Sequence, residues 1–120
     1  MQDNWNAYLK SLSPALKELR LGAPEVMKSF SGIAQSSLAP GALDTKTKEL
    51  IALAIGVAVR CDDCIAFHVK AALQNGATRD EVLETLGLAV YMGAGPSVMY
   101  ASHAMEAFEQ LSVGAGLPKG

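Results

Sequence analysis

The stretch Cys61-Asp62-Asp63-Cys64-Ile65-Ala66-Phe67-His68 holds both cysteines of the 120-residue chain and one of its two histidines. A helix that begins near Asp62 would place Cys64 and His68 on one face, with their Cβ atoms about 5–6 Å apart. The amino end of such a helix carries a partial positive charge, which favours the thiolate form of a nearby cysteine. The spacing therefore predicts a chemically active pair of thiols beside a histidine.

Three interpretations of this motif follow from the residues alone. The first is a redox-active dithiol in which His68 serves as acid or base. The second is a zinc site in which His103 joins Cys61, Cys64 and His68 as a fourth ligand. The third is a structural disulfide, for which the chain-entropy relation gives only about 2 kcal/mol in so short a loop. A helical spacing is also wider than the disulfide optimum. We therefore rank the redox interpretation first and the structural disulfide last.

The composition indicates one domain spanning residues 1–120. Half of the residues are hydrophobic and 18% are charged, which is ordinary for a folded domain or for a subunit with apolar interfaces. The formal net charge of −2 offers no electrostatic basis for binding nucleic acid or an anionic membrane. The first residues lack the basic and apolar regions of a signal peptide, and the longest apolar run, 50–59, is too short to span a bilayer. We therefore expect a cytoplasmic protein, in which a C-x-x-C pair is catalytic or metal-binding.

The N-terminal third of the chain predicts helices without a catalytic motif. Apolar residues recur at helical spacing from Trp5, Ser13-Pro14 is expected to interrupt the first helix, and Pro24 begins another. We expect these helices to cover the core. The main loop is predicted over residues 36–43, because that segment contains Pro40-Gly41.

The remainder of the chain completes an all-α bundle of about six helices. Asp44 predicts the start of a helix over residues 45–60, and the motif helix follows over 62–74. Residues 50–59 are apolar on nearly every face, which predicts burial all round. In a small protein such burial implies contact with another subunit, so we expect an oligomer.

Two further helices are predicted after the motif. Thr78 and Glu81 have the capping-box pattern, so a helix begins there. Gly93-Ala94-Gly95 breaks this helix, and Pro96 begins the last one. Residues 114–120 are expected to fray.

Glu49 and His103 carry no clear signal in the pattern. Glu49 comes one residue before the apolar run, and a solvated surface glutamate is the interpretation that the pattern favours. His103, apart from its place in the zinc interpretation, is predicted to be a histidine whose hydrogen bonds are satisfied in the core or at an interface.

The motif and its neighbours resemble the carboxymuconolactone decarboxylase family, and more narrowly its alkylhydroperoxidase D-like branch. The resemblance rests on Lys48-Glu49-Leu50-Ile51-Ala52-Leu53-Ala54, on Cys61-x-x-Cys64-x-x-x-His68 and on the helix from Thr78. It covers a motif-bearing core of residues 44–111. A glutamate twelve positions before C-x-x-C-x-x-x-H is far more specific than C-x-x-C alone.

The resemblance implies a helical subunit assembled as a homotrimer or homohexamer, with no metal and no organic cofactor. In that branch the second cysteine is oxidised to a sulfenic acid by a hydroperoxide substrate. The first cysteine resolves it to a disulfide, which a dithiol protein or small thiol then reduces. The resemblance therefore implies that Cys64 is the peroxidatic cysteine and Cys61 the resolving one. It also implies that His68 and Glu49 form the relay that takes the thiol proton. The alternatives are a general protein disulfide reductase and a zinc-stabilised assembly module without enzymatic activity.

One position departs from the pattern of that branch. Its characterised peroxidases have a histidine just before the second cysteine, where this chain has Asp63. An aspartate beside a developing thiolate is expected to raise the pKa of the thiol. The departure predicts a slower peroxidase or a different electrophilic substrate. Decarboxylation is not expected, because the ring-opening enzymes of the wider family generally lack the cysteine pair.

Overall fold

The computed structural model describes residues 4–114, which form five α-helices and no strand. The fifth helix is two helices joined at the non-helical residue Ala94, so the prediction of an all-α fold with about six helices is confirmed. Residues 114–120 were predicted to fray; Gly114 ends the fifth helix, and 115–120 lie outside the described residues. The helices are α1 (Trp5–Gly22), α2 (Pro24–Leu38), α3 (Thr45–Ala58), α4 (Asp62–Gln74) and α5 (Arg79–Gly114).

Local capping interactions set the boundaries of the last three helices. Asp44 Oδ1 accepts a hydrogen bond from the backbone N–H of Thr47 at 2.7 Å. Thr78 and Glu81 satisfy each other's backbone N–H groups through their side chains, at 3.1 and 2.9 Å. Gly76 adopts a φ of 84°, a left-handed conformation that follows a helix at low cost only in glycine. The predicted N-cap, capping box and helix stop are therefore confirmed.

The core lies between α3, α4 and α5, which pack against one another, and it includes Trp5 from α1. The motif is at the start of α4, and Glu49 is on the face of α3 that this core covers. Packing of the core therefore sets the position of both. Fully covered members of the core include Trp5, Leu53, Val57, Ile65, Ala66 and Val82.

The first helix does not stop at Ser13-Pro14 as predicted. α1 continues from Trp5 to Gly22 with Pro14 inside it. A proline inside a helix removes the hydrogen bond to the carbonyl four residues earlier. That carbonyl belongs to Lys10, which is exposed, so water can satisfy it. The predicted interruption is wrong because the lost backbone hydrogen bond lies at the surface, where water can replace it.

The second helix does not cover the core. α2 has no buried residue, and it contacts only α1 and α3. Val26, Phe30 and Ile33, which share one face, are 62–69% exposed. The helix also extends to Leu38, so the loop before α3 starts later than predicted. Periodicity correctly predicted the helix, but its apolar face has no partner among residues 4–114.

The apolar helix α3 is buried on one face only. Leu53 and Val57 are fully covered by the chain, whereas Ile51, Ile55 and the adjoining Val59 are 45–63% exposed. Within the subunit, α4 and α5 cover one side of α3 and leave a stripe of residues four apart uncovered. The predicted burial all round, which requires another subunit, stays a prediction.

The fifth helix breaks where Gly93-Ala94-Gly95 predicted. Ala94 has φ 56° and ψ −142°, a conformation that is strained for any residue with a Cβ. A Cβ at Gly93 would collide with the side chain of Ser97, so only glycine fits there. The break allows the two halves of α5 to take different directions against the core.

Among residues 4–114, α5 is also the one helix whose length and mean hydropathy would allow it to cross a membrane. It contacts α1, α3 and α4, and both of its halves contribute side chains to the core. Within the described structure it therefore serves as the central helix of the bundle.

Candidate active site

The two motif cysteines form a disulfide at the amino end of α4. Cys61 is the N-cap residue, with φ −116° and ψ 98°, and Cys64 lies in the first helical turn. Their Cα atoms are 5.2 Å apart, within the usual range for disulfides. The prediction of a spacing wider than the disulfide optimum is wrong, because Cys61 has extended rather than helical backbone. Since both the redox and the structural interpretation allow this bond, the surrounding side chains must discriminate between them.

Cys61 caps the helix through its sulfur atom. Its Sγ accepts a hydrogen bond from the backbone N–H of Cys64 at 3.2 Å. The sulfur takes the place that an oxygen holds in a usual N-cap. In the reduced protein the same N–H group and the helix dipole would stabilise a Cys61 thiolate. The predicted placement of the pair at a helix amino terminus is confirmed.

Gly56 allows α3 and α4 to approach closely at the motif. Its carbonyl accepts a hydrogen bond from the backbone N–H of Cys61 at 3.0 Å. A Cβ added at Gly56 would lie 3.1 Å from the Cβ of Cys64, tighter than most real contacts. The sequence interpretation did not single out Gly56. The available signal was a glycine inside an otherwise apolar helical run, where a close packing contact is a common reason for it.

His68 and Glu49 form a direct contact between α4 and α3. His68 Nδ1 lies 2.7 Å from Glu49 Oε1. Glu49 is buried because it shares the covered face of α3 with Leu53 and Gly56, so its interpretation as a surface residue is wrong. An ionised carboxylate only accepts hydrogen bonds, so it holds the proton on Nδ1 and leaves Nε2 as the basic nitrogen. The structure thus joins Glu49 to His68, which follows Cys64 by one helical turn; the relay to the Cys64 thiol stays a prediction of the resemblance.

The two members of this pair differ in exposure. The side chain of Glu49 is 6% exposed and that of His68 is 30% exposed. His68 also follows Cys64 by one helical turn, which places both side chains on one side of α4. The imidazole therefore reaches from a covered carboxylate toward solvent, on the side of α4 that also carries the partly exposed Cys64.

A second histidine–carboxylate pair occupies the same end of α4. His103 Nδ1, from the second half of α5, lies 2.8 Å from Oδ1 of Asp62, the residue after Cys61. The side chains are 13% and 19% exposed. The His103 ring also contacts Tyr100 and Trp5, with ring centroids 4.7 and 6.4 Å away. The prediction of a satisfied histidine is confirmed, whereas Asp62 was missed because its partner is 41 residues distant.

The donor set of the zinc interpretation is not assembled in the structure. Cys61 and Cys64 are bonded to each other, and the two histidines contact different carboxylates. Within residues 4–114 no three side chains of His, Cys, Asp or Glu lie together in a group that could hold a metal ion.

Asp63, the departure from the family pattern, is exposed to solvent. Water and salt screen the charge of an exposed group, so its repulsion of a thiolate is weaker than the sequence alone suggested. Asp62, rather than Asp63, is the acid that the fold holds within the motif.

Comparison with known proteins identifies the family. Residues 24–107 match the model of the carboxymuconolactone decarboxylase family, so the matched region includes α2 and all but the last four residues of the predicted core, 44–111. An uncharacterized protein from Cupriavidus necator is 42% identical over 89 residues, covering 74% of this chain and 79% of the relative. The uncharacterized protein 4 in the cox locus of Paracoccus denitrificans is 33% identical over 99 residues, covering 82% and 89%.

Solved structures share the fold over nearly the whole chain. A carboxymuconolactone decarboxylase family protein from Legionella pneumophila, in its apo form, is 50% identical, with a TM-score of 0.89 over 92% of this chain and 99% of that one. A Thermotoga maritima member, described as having a possible part in the antioxidative response, is 29% identical, with a TM-score of 0.80 over 94% and 98%. This chain therefore belongs to the carboxymuconolactone decarboxylase family.

Proposed function

We propose that the protein is a thiol oxidoreductase that reduces hydroperoxides through a Cys61–Cys64 redox cycle. The observation that carries the proposal is the buried Glu49, hydrogen-bonded to a histidine one helical turn beyond Cys64. Burying a carboxylate costs free energy, and a disulfide that serves only stability does not require a carboxylate and an imidazole beside it. The description of the Thermotoga maritima relative supports an antioxidant role.

In the first step of the proposed cycle, Cys64 is the peroxidatic residue. Neutral His68 accepts the thiol proton through Nε2, and Glu49 stabilises the imidazolium that forms. The Cys64 thiolate attacks one oxygen of the hydroperoxide, and the O–O bond breaks. Cys64 becomes a sulfenic acid, and the leaving oxygen takes the proton from His68 to form an alcohol.

In the second step the Cys61 thiol attacks the sulfenic sulfur of Cys64. The S–S bond forms and water leaves, which gives the disulfide found in the structure. A dithiol protein or small thiol then reduces this disulfide by exchange, restoring both thiols and carrying away an oxidised disulfide of its own. A reducing compartment, as expected for a cytoplasmic protein, would supply that reductant.

Intact-mass analysis after brief exposure of the reduced protein to hydroperoxide tests the cycle. Wild-type protein is expected to lose two hydrogens, and Cys61→Ser is expected to gain one oxygen on Cys64 that a sulfenic-acid reagent captures. Cys64→Ser, the matched control with the other single thiol, should not form this species. Oxidation spread over the five methionines, with both thiols intact, would overturn the proposal.

The second candidate is a general disulfide reductase, and one hydrogen bond favours it. The N–H of Cys64 is donated to the sulfur of Cys61, which would make Cys61 the more readily ionised thiol. In that function Cys61 attacks the disulfide of a substrate and Cys64 resolves the mixed disulfide. Loss of the first step in Cys61→Ser rather than Cys64→Ser would establish this order.

We further propose that the subunit assembles as a homotrimer or homohexamer. Within residues 4–114, large apolar side chains remain exposed on α2, α3 and α5, and soluble monomers rarely expose large apolar patches. Light scattering at micromolar concentration should report the molar mass of a trimer or larger, and Phe30→Glu should lower that molar mass. Gln35→Glu, on the polar side of α2, is the control that should leave the molar mass unchanged. A monodisperse wild-type monomer would contradict assembly.

A further inference from the structure

We propose that His103 and Asp62 are positioning residues for the cysteine pair: His103 holds the Asp62 carboxylate and keeps its negative charge from opposing ionisation of the neighbouring thiols. This inference rests on the proposed redox function of Cys61 and Cys64. It assigns a role to a histidine–carboxylate pair that the Glu49–His68 relay does not use.

The position of Asp62 creates an electrostatic conflict. As the first residue of α4, its negative charge is favourable at the positive end of the helix. Asp62 also stands between Cys61 and Cys64 in the sequence. One of these cysteines must become a thiolate during the cycle, and a like charge nearby disfavours that ionisation. The side chain is only 19% exposed, so water screens it less than it screens the exposed Asp63. A hydrogen-bond donor that holds this carboxylate therefore reduces the repulsion between its charge and the thiolate.

His103 is that donor, and packing fixes its place. Its ring lies among the side chains of Tyr100 and the fully buried Trp5. Trp5 is itself held, because its Nε1–H donates to Glu106 Oε1 at 2.9 Å. His103 therefore joins the motif to the second half of α5 and, through Trp5, to α1. We expect this support to keep the imidazole in place while the disulfide opens and closes.

The other charged groups on the packed elements have different surroundings. On α3, Glu49 is hydrogen-bonded to His68, and on α5, Glu106 accepts the hydrogen bond of Trp5. Arg60, just before the motif, is exposed. Among these groups, Asp62 is the partly covered acid whose side chain belongs to the motif itself, and its contact is His103.

An electrostatic role and a purely structural role predict effects of different sign. If the pair controls charge, removing His103 frees the Asp62 carboxylate to oppose the thiolate, whereas removing the charge of Asp62 relieves that opposition. If the pair is only a structural link between α5 and α4, His103→Phe removes the hydrogen bond and Asp62→Asn weakens it, so both changes disturb the motif in the same direction.

The test is the pH dependence of iodoacetamide alkylation of Cys61 in the full-length, reduced Cys64→Ser protein. His103→Phe keeps a ring against Trp5 and Tyr100 but removes the donor, and Asp62→Asn removes the charge with little change in shape. The alkylation profile of His103→Phe is expected to move to higher pH, with a slower rate at neutral pH by a factor on the order of three, the effect of half a pKa unit. Asp62→Asn should move the profile to lower pH, and the double variant should follow Asp62→Asn.

Shifts of opposite sign support the proposal. Shifts of the same sign, or an unchanged profile in both variants, would overturn it. Circular dichroism confirms that each variant is folded, and Asp62→Asn, at the edge of the bundle, keeps the test decisive if His103→Phe does not fold. Because alkylation needs no hydroperoxide, failure of the peroxidase proposal would appear only in the mass experiment, and failure of this inference only in the alkylation profiles.

Discussion

The two histidine–carboxylate pairs beside the disulfide have nearly the same length but opposite arrangements. Nδ1 lies 2.7 Å from the carboxylate in His68–Glu49 and 2.8 Å in His103–Asp62. In the first pair the carboxylate is covered and the imidazole reaches solvent; in the second the carboxylate belongs to the motif and packing covers the imidazole. Hydrogen-bond geometry alone therefore does not assign a role. Exposure suits the first pair to proton transfer with a substrate, and enclosure suits the second to holding a charge in place.

The largest effect, on the rate of sulfenic acid formation, should come from substituting His68 or Glu49. His68→Ala and Glu49→Gln are expected to slow sulfenic acid formation on Cys64 by roughly 10²–10⁴-fold at neutral pH, the usual contribution of general acid–base catalysis. Both rates should recover as the pH rises and the thiol ionises unaided. The measurement is the rate of oxygen addition in the Cys61→Ser background between about pH 6 and 9.

His103→Phe in the same assay is the comparison, and it should change the rate far less than His68→Ala. If Glu49→Gln leaves the pH–rate profile unchanged while His68→Ala shifts it, Glu49 has no part in the relay. If His103→Phe is as damaging as His68→Ala, the distinction between the two pairs is wrong.

The next effect concerns Gly56, on which the position of the disulfide between the two pairs depends. Gly56→Ala places a methyl group 3.1 Å from the Cβ of Cys64, so α3 and α4 must separate. The free energy of unfolding is expected to fall by roughly 1–3 kcal/mol, as in other overpacked cores. Urea titration at fixed protein concentration measures it.

Gly32→Ala is the matched control for Gly56→Ala. Gly32 lies inside α2, and a Cβ there meets nothing within 4 Å. This substitution should raise the free energy of unfolding by roughly 0.5–1 kcal/mol, because alanine favours a helix more than glycine does. Equal destabilisation by both substitutions would show that close packing at the motif is not the cause.

A smaller effect is expected at Ala94, which joins the half of α5 that carries His103 to the half that does not. Strain at such a φ costs on the order of 1–3 kcal/mol, and replacing alanine by glycine costs about 0.4–1 kcal/mol through the unfolded chain. Ala94→Gly should therefore stabilise the protein by about 1 kcal/mol in the same titration. Gly93→Ala should destabilise it because of the collision with Ser97. A loss of stability in Ala94→Gly would contradict the inference that the backbone at Ala94 is strained.

The smallest effect belongs to a third pair of similar length, Lys46–Glu81, at 2.8 Å on the surface. The hydrogen bond from Lys46, and then that from the backbone of Thr78, lower the pKa of Glu81. A carboxyl group with a lowered pKa in the folded state stabilises the protein at neutral pH, and this contribution disappears as the pH falls through that pKa. Glu81→Gln should therefore reduce stability slightly at pH 7 and not at all in strong acid. If the stability of Glu81→Gln still differs from that of the wild type in acid, the cause is the capping geometry rather than the charge of Glu81.

Features that depend on nearby residues could be predicted from the sequence. Asp44 and the Thr78–Glu81 box cap helices with residues three positions away, and Cys64 and His68 share a face through one helical turn. Features that depend on which helix faces pack together could not be predicted from it. Glu49 stands beside apolar residues in the sequence, and only the packing of α3 shows that it is buried; the resemblance alone had given it a role.

The same limit applies to the second histidine–carboxylate pair and to the second helix. Asp62 and His103 are 41 residues apart, so no periodicity connects them. α2 has the pattern of a helix that covers a core, yet the apolar face that carries Phe30 remains exposed within the described part of the chain. Periodicity identifies an apolar face, but its partner is determined by the tertiary or quaternary structure.

The contacts of Trp5 have a consequence for the order of folding. Its backbone and side chain are hydrogen-bonded to Gln110 and Glu106, across 105 and 101 residues of sequence. Closing so long a loop costs chain entropy that short-range helix contacts do not require. During synthesis, the hundred or so residues after Trp5 must be made before these partners exist. We therefore expect α1 to be held in place late, after α3 and α4 have already paired around the cysteines.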